Sequence, residues 1–70
     1  MSADQRKRSV AIAGHRTSIS LEDEFWEALT EIARERGQSV ASMVAEIDAG
    51  RGTRGLSSAL RLFVLRQYRP

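Results

Sequence analysis

Seventy residues hold one small domain, and a core of that size rarely stabilises a fold without a covalent staple, a metal or a second copy. There is no cysteine and His15 is the single histidine, so disulfides and a zinc site are excluded and oligomerisation is the expected device. The net charge of +2 hides a segregation: residues 1–20 carry four bases against Asp4, residues 21–49 carry two bases against eight acids, and residues 50–70 carry five arginines and no acid. That pattern suits either a basic face turned to a polyanion or a solvated acidic helix between two basic ends. No segment approaches transmembrane length, and the apolar piece after the basic run is too short for a signal-peptide core. A cytoplasmic protein with no membrane contact and no cofactor is expected.

In chain order, residues 1–14 read as a flexible basic arm carrying Arg6, Lys7 and Arg8. Within it Val10 and Ile12 alternate as a weakly extended piece that ends at Gly14. The domain proper is expected over residues 15–70. "HRTSISL" alternates strictly and predicts a strand over residues 15–21. His15, Thr17, Ile19 and Leu21 share one side; Arg16, Ser18 and Ser20 share the other, which is wholly polar.

The period then changes. Phe25, Leu29, Ile32 and Ala33 form the apolar stripe of a helix over residues 23–36, with acids in the first turn, Arg34 and Arg36 in the last, and Gly37 at the C-terminal cap. Trp26 sits beside that stripe and is expected to cover its flank. Ser39 is the predicted N-cap of a second helix over residues 40–49, where Val40, Met43, Val44 and Ile47 repeat the stripe. "GRGTRG" reads as a connector. The third helix, residues 57–68, is expected to be capped by Ser57 or Ser58; Leu60, Leu62, Phe63, Val64, Leu65 and Tyr68 give it a broad apolar surface. Such a helix packs on the first two or on a partner chain.

Catalysis has little to work with. "GRGTRG" matches a glycine-rich phosphate-loop pattern in form, but a helix precedes it and no acid follows it. The other phosphate-loop signature fails as well, because no lysine precedes Ser57. His15 has no serine elbow or orienting carboxylate near it in sequence. Neither an enzyme nor a metal site is expected.

The strand poses the remaining question, because a lone strand cannot satisfy its own backbone groups. Two copies pairing antiparallel about a two-fold axis would form a ribbon showing Arg16, Ser18 and Ser20 from each chain. A two-stranded ribbon fits the major groove of B-DNA, where arginine bonds guanine and serine bonds several base edges. The expected fold is therefore mainly α with one short strand, assembled as an intertwined homodimer. Its shared core is expected to be Ile19, Leu21, Phe25, Leu29, Ile32, Val40, Met43, Val44, Ile47, Leu60, Phe63 and Val64.

In "RTSISL" followed at once by an acidic helix start, in Gly37 sixteen positions after Leu21, and in the turn "GQSV", the chain resembles the ribbon-helix-helix repressors of the MetJ/Arc/CopG superfamily. "GHRTSISLE" with "LSSALRLFVL" looks like a subgroup of short bacterial members with an added C-terminal helix. The resemblance implies that Arg16, Ser18 and Ser20 read bases and that the backbone at Ser39 and Val40 holds a DNA phosphate, a role that suits a helix N-terminus. Arg6, Lys7 and Arg8 would add phosphate contacts. The function it implies is repression or autoregulation by a homodimer on double-stranded DNA, with adjacent dimers assembling on repeated half-sites. The competing expectation is an antitoxin-like or adaptor module that binds a protein partner through helix 57–68.

Overall fold

The computed structural model describes residues 5–69; the first four residues of the expected arm and Pro70 lie outside them. Two strands and three helices follow in order: β1 Gln5–Ile12, β2 His15–Glu22, α1 Asp23–Glu35, α2 Val40–Ala49 and α3 Leu56–Tyr68.

The arm is the first correction. Residues 5–12 are a full strand, antiparallel to β2 in a register that runs from Gln5 opposite Glu22 to Ile12 opposite His15. The partner of β2 is thus supplied by the same chain, so its isolation no longer demands a second copy. Two local features drive the pairing. Val10 and Ile12 alternate in step with Ile19 and Leu21, and burying each of these side chains contributes about 1.5–3 kcal/mol. The connection is two residues long, and Ala13 and Gly14 both take positive φ, 51° and 84°, as the tight hairpin turn matching strand twist requires.

The helices form one layer and the hairpin the other. α2 packs on β1, α1 and α3 pack on β2, and the helices also touch one another. Val10, Ile12, Ile19 and Leu21 cover the hairpin's inner face and meet Leu29, Ile32, Ala33, Met43, Val44, Leu60 and Val64 from the helices. Phe25, Trp26, Val40, Ile47 and Phe63 are partly buried around that cluster. The residues expected to form a dimer core therefore pack within a single chain.

Each helix end has a local cause. The Gly37 N–H donates to the Arg34 carbonyl at 3.0 Å and the Gln38 N–H to the Ala33 carbonyl at 3.0 Å. This pair of reversed bonds stops α1, and it places Gly37 at φ 67°, where a side chain is strained. Ser39 caps α2 by accepting from the Ser42 N–H at 3.0 Å. α3 departs from expectation: it starts at Leu56 with Gly55 as N-cap and no side-chain cap. Ser57 is already helical, and its hydroxyl donates instead to the Ser20 carbonyl at 2.7 Å. Leu56 packs against the core, which draws the helix start ahead of both serines.

Polar latches tie the hairpin to the helices. Arg61 grips Glu22 with two bonds, Nε to Oε1 at 2.8 Å and Nη2 to Oε2 at 3.2 Å. Arg8 donates to Asp23 at 3.0 Å while its guanidinium lies 4.6 Å from the Trp26 ring centre. Trp26 thus covers the flank of the core and carries a cation on its face.

Candidate nucleic-acid interface

Residues directly opposite in an antiparallel pair share a face, so the register defines the hairpin's two surfaces. One presents Ala11 beside Arg16, Ser9 beside Ser18 and Lys7 beside Ser20. Lys7, Ser9, Ala11, Arg16 and Ser18 are exposed and Ser20 is half-buried. No large apolar side chain and no acid stands in these three rows. Glu22, the acid farther along β2, is engaged by Arg61.

The chemistry of this surface is compact. Arg16 offers a planar fork of donors, Lys7 a rotatable ammonium, and the serines hydroxyls that donate and accept. The Arg16 guanidinium is held across the strands, Nη1 to Ser9 Oγ at 3.2 Å. Two strands about 5 Å apart form a ridge narrow enough for a major groove about 12 Å wide.

The structure distributes the predicted residues unevenly. Arg16 and Ser18 stand exposed on the outer face. Ser20 shares that face while its carbonyl is taken by Ser57. Of the basic run, only Lys7 points the same way. Arg8 lies on the opposite face, half-buried against Asp23 and Trp26, and Arg6 shares that side with its Nε 3.7 Å from Asp23. Ser39 is exposed at the start of α2, its hydroxyl occupied by the Ser42 N–H, and Val40 is packed against the core. Ser9 and the face of Lys7 were missed by sequence reasoning. The available signal was the alternation of Lys7, Ser9 and Ala11 against Arg8, Val10 and Ile12, closed by Ala13–Gly14.

A second surface lies on the helical layer. Leu65 and Tyr68 on α3 are the exposed large apolar residues among those described, 43% and 63% accessible. Between α2 and α3 a groove of about 320 Å³ is lined by Ile47, Leu62 and Phe63 with Glu46, Arg51 and Arg66 at its rim. Arg51 is committed to Asp48 at 2.6 Å and to the Arg54 carbonyl at 2.6 Å, which turns the glycine-rich connector into a pinned loop. No described helix is long and apolar enough to cross a membrane.

Comparison with known proteins agrees with the order of elements. No curated protein and no solved structure matches the chain. The family model of the ribbon-helix-helix domain matches residues 5–68, a span that takes in both strands and all three helices. This chain belongs to the ribbon-helix-helix domain family.

Proposed function

We propose that this protein binds double-stranded DNA in a sequence-dependent manner, with the outer ribbon face in the major groove, and represses transcription at the sites it occupies, including its own promoter. One observation carries the reading: the three rows of the hairpin's outer face nearest the turn bear two cations, three hydroxyls and no acid, and Glu22 in the next row is engaged by Arg61. Eight of the chain's nine acids fall in residues 21–49, and the one that shares this face, Glu22, is engaged by Arg61.

In this reading Arg16 forks onto a guanine edge, Ser18 and Ser20 bond neighbouring base edges directly or through water, and Arg6 and Lys7 meet flanking phosphates. The first turn of α2, at Ser39 and Val40, offers backbone N–H groups to a further phosphate. The acidic residues Glu24, Glu27 and Glu31 stand on α1, which packs behind β2 and keeps them off the groove. The chain acts as a homodimer, because two copies related by a two-fold axis double the phosphate contacts and match two half-sites. Adjacent dimers assemble on repeated half-sites.

The test is an anisotropy titration of a duplex taken from the region upstream of the protein's own coding sequence. Binding that falls steeply with salt is expected, since each neutralised phosphate releases counterions. Affinity that is flat from low to high salt counts against the reading. A second reading rests on Leu65 and Tyr68: an apolar docking site at the end of α3 for a protein partner. Under that reading Leu65→Asp abolishes partner capture and leaves DNA affinity unchanged, whereas Arg16→Ala affects only DNA.

A further inference from the structure

We propose that Arg61 is a positioning residue for DNA binding: its fork holds the Glu22 carboxylate and offsets its charge at the ribbon's outer face, so that α3 sets the sign of the surface that meets DNA. The inference rests on the DNA reading above and gives α3 a part in it.

The alternation of β2 puts Glu22 in line with Arg16, Ser18 and Ser20. Two residues of extended chain place it about 7 Å beyond Ser20 along the strand. That is within one Debye length at physiological salt, about 8 Å, so a carboxylate there acts on any phosphate that Ser20 approaches. Of the eight acids in residues 21–49, Glu22 is the one on a strand; the other seven stand on α1 and α2. It is the acid best placed to repel DNA from this face.

The geometry commits that carboxylate to α3. Arg61 Nε donates to Oε1 at 2.8 Å and Nη2 to Oε2 at 3.2 Å, a two-bond grip that fixes both partners. The two side chains are 30% and 26% accessible, so the pair is screened less than an open surface pair. About one turn earlier on α3, the Ser57 hydroxyl donates to the Ser20 carbonyl at 2.7 Å and holds the helix against this end of β2. The carboxylate is not turned to α1 instead: Glu22 is the N-cap residue of that helix, yet its side chain makes no capping bond. Of the five arginines in residues 50–70, Arg61 is the one bonded to a strand side chain among the described residues.

The experiment is a two-residue cycle. Wild type, Arg61→Ala, Glu22→Gln and the double variant are titrated by anisotropy against the same upstream duplex at low and high salt, with helix content followed by circular dichroism. Arg61→Ala is expected to weaken binding about tenfold at low salt, because one carboxylate per chain is no longer offset by Arg61, and the deficit shrinks as salt rises. Glu22→Gln is expected to bind at least as tightly as wild type. Added to Arg61→Ala, it is expected to bring affinity back to within about twofold of wild type.

The double variant separates this role from two others. The grip is absent there too, so a part in the fold alone leaves it as weak as Arg61→Ala, and so does a direct contact of Arg61 with phosphate. Failure of Glu22→Gln to rescue therefore overturns the inference, as does an Arg61→Ala protein that binds like wild type. If Arg61→Ala does not fold, Glu22→Gln alone decides: affinity at or above the wild type's supports the proposal, and weaker binding overturns it. A wild type that fails to bind the duplex overturns the DNA reading beneath, and so the two failures are distinguishable.

Discussion

The two faces of the hairpin are built from the same sixteen strand residues and obey different rules. On the inner face Val10, Ile12, Ile19 and Leu21 are at most 8% accessible, and each is fixed by what it touches. On the outer face Lys7, Ser9, Arg16 and Ser18 touch little beyond one another. Cations make the difference sharpest. Arg8 and Arg16 stand on adjacent strands, yet Arg8 is consumed by Asp23 and Trp26 while Arg16, among the described residues, is bonded to an exposed serine. In the proposed reading, the charge that holds the fold together is the paired one and the charge that meets DNA is the presented one.

That contrast can be broken most violently from the inside. Leu21 is fully buried, and Leu21→Ala is expected to cost about 2–5 kcal/mol, a large share of the stability of so small a domain. Urea denaturation followed by circular dichroism reads the loss, and a midpoint unchanged from wild type contradicts the inner-face assignment. From the outside, Arg16→Ala is expected to lose about 1–3 kcal/mol of DNA binding with specificity relaxed at one base position. Its thermal midpoint should stay where the wild type's is.

Arg8→Ala sharpens the comparison by inverting it. Removing the ion pair and the ring contact is expected to destabilise the fold by about 1–2 kcal/mol. DNA affinity of the fraction that remains folded should move far less than in Arg16→Ala. The smallest effect is at the turn. Ala13 holds φ 51°, a conformation asparagine tolerates better than alanine, so Ala13→Asn is expected to stabilise the hairpin by about 0.5–1 kcal/mol in the same denaturation assay. A destabilised Ala13→Asn would speak against a hairpin closed at Ala13–Gly14.

Periodicity made the three helices and β2 legible, because their apolar stripes contain few interruptions: Phe25, Leu29 and Ile32 in α1, Met43, Val44 and Ile47 in α2, Leu60 and Val64 in α3. β1 was hidden for a physical reason. Arg8 stands at an inner-face position where alternation calls for an apolar residue, and it is tolerated there because Trp26 and Asp23 accept it. The turn was hidden too, since Ala13 occupies a site where asparagine, aspartate or glycine is the usual signal.

The candidate site was legible in half. Arg16 and Ser18 follow from alternation within one strand, which is local. Lys7 and Ser9 follow from register, which depends on where the turn falls. Ser57 shows the same limit: its hydroxyl looked like a helix cap, and only the packing of α3 on β2 redirected it to the Ser20 carbonyl.

The claim on which all of this stands is that the outer ribbon face reads duplex DNA. Its most direct test is a paired titration of wild type and Arg16→Ala against one bound duplex and against the same duplex with a single base pair changed. The account predicts that wild type discriminates between the duplexes by about 1–3 kcal/mol at one position, and that Arg16→Ala binds the two alike. Equal affinities for wild type and Arg16→Ala on both duplexes would contradict it.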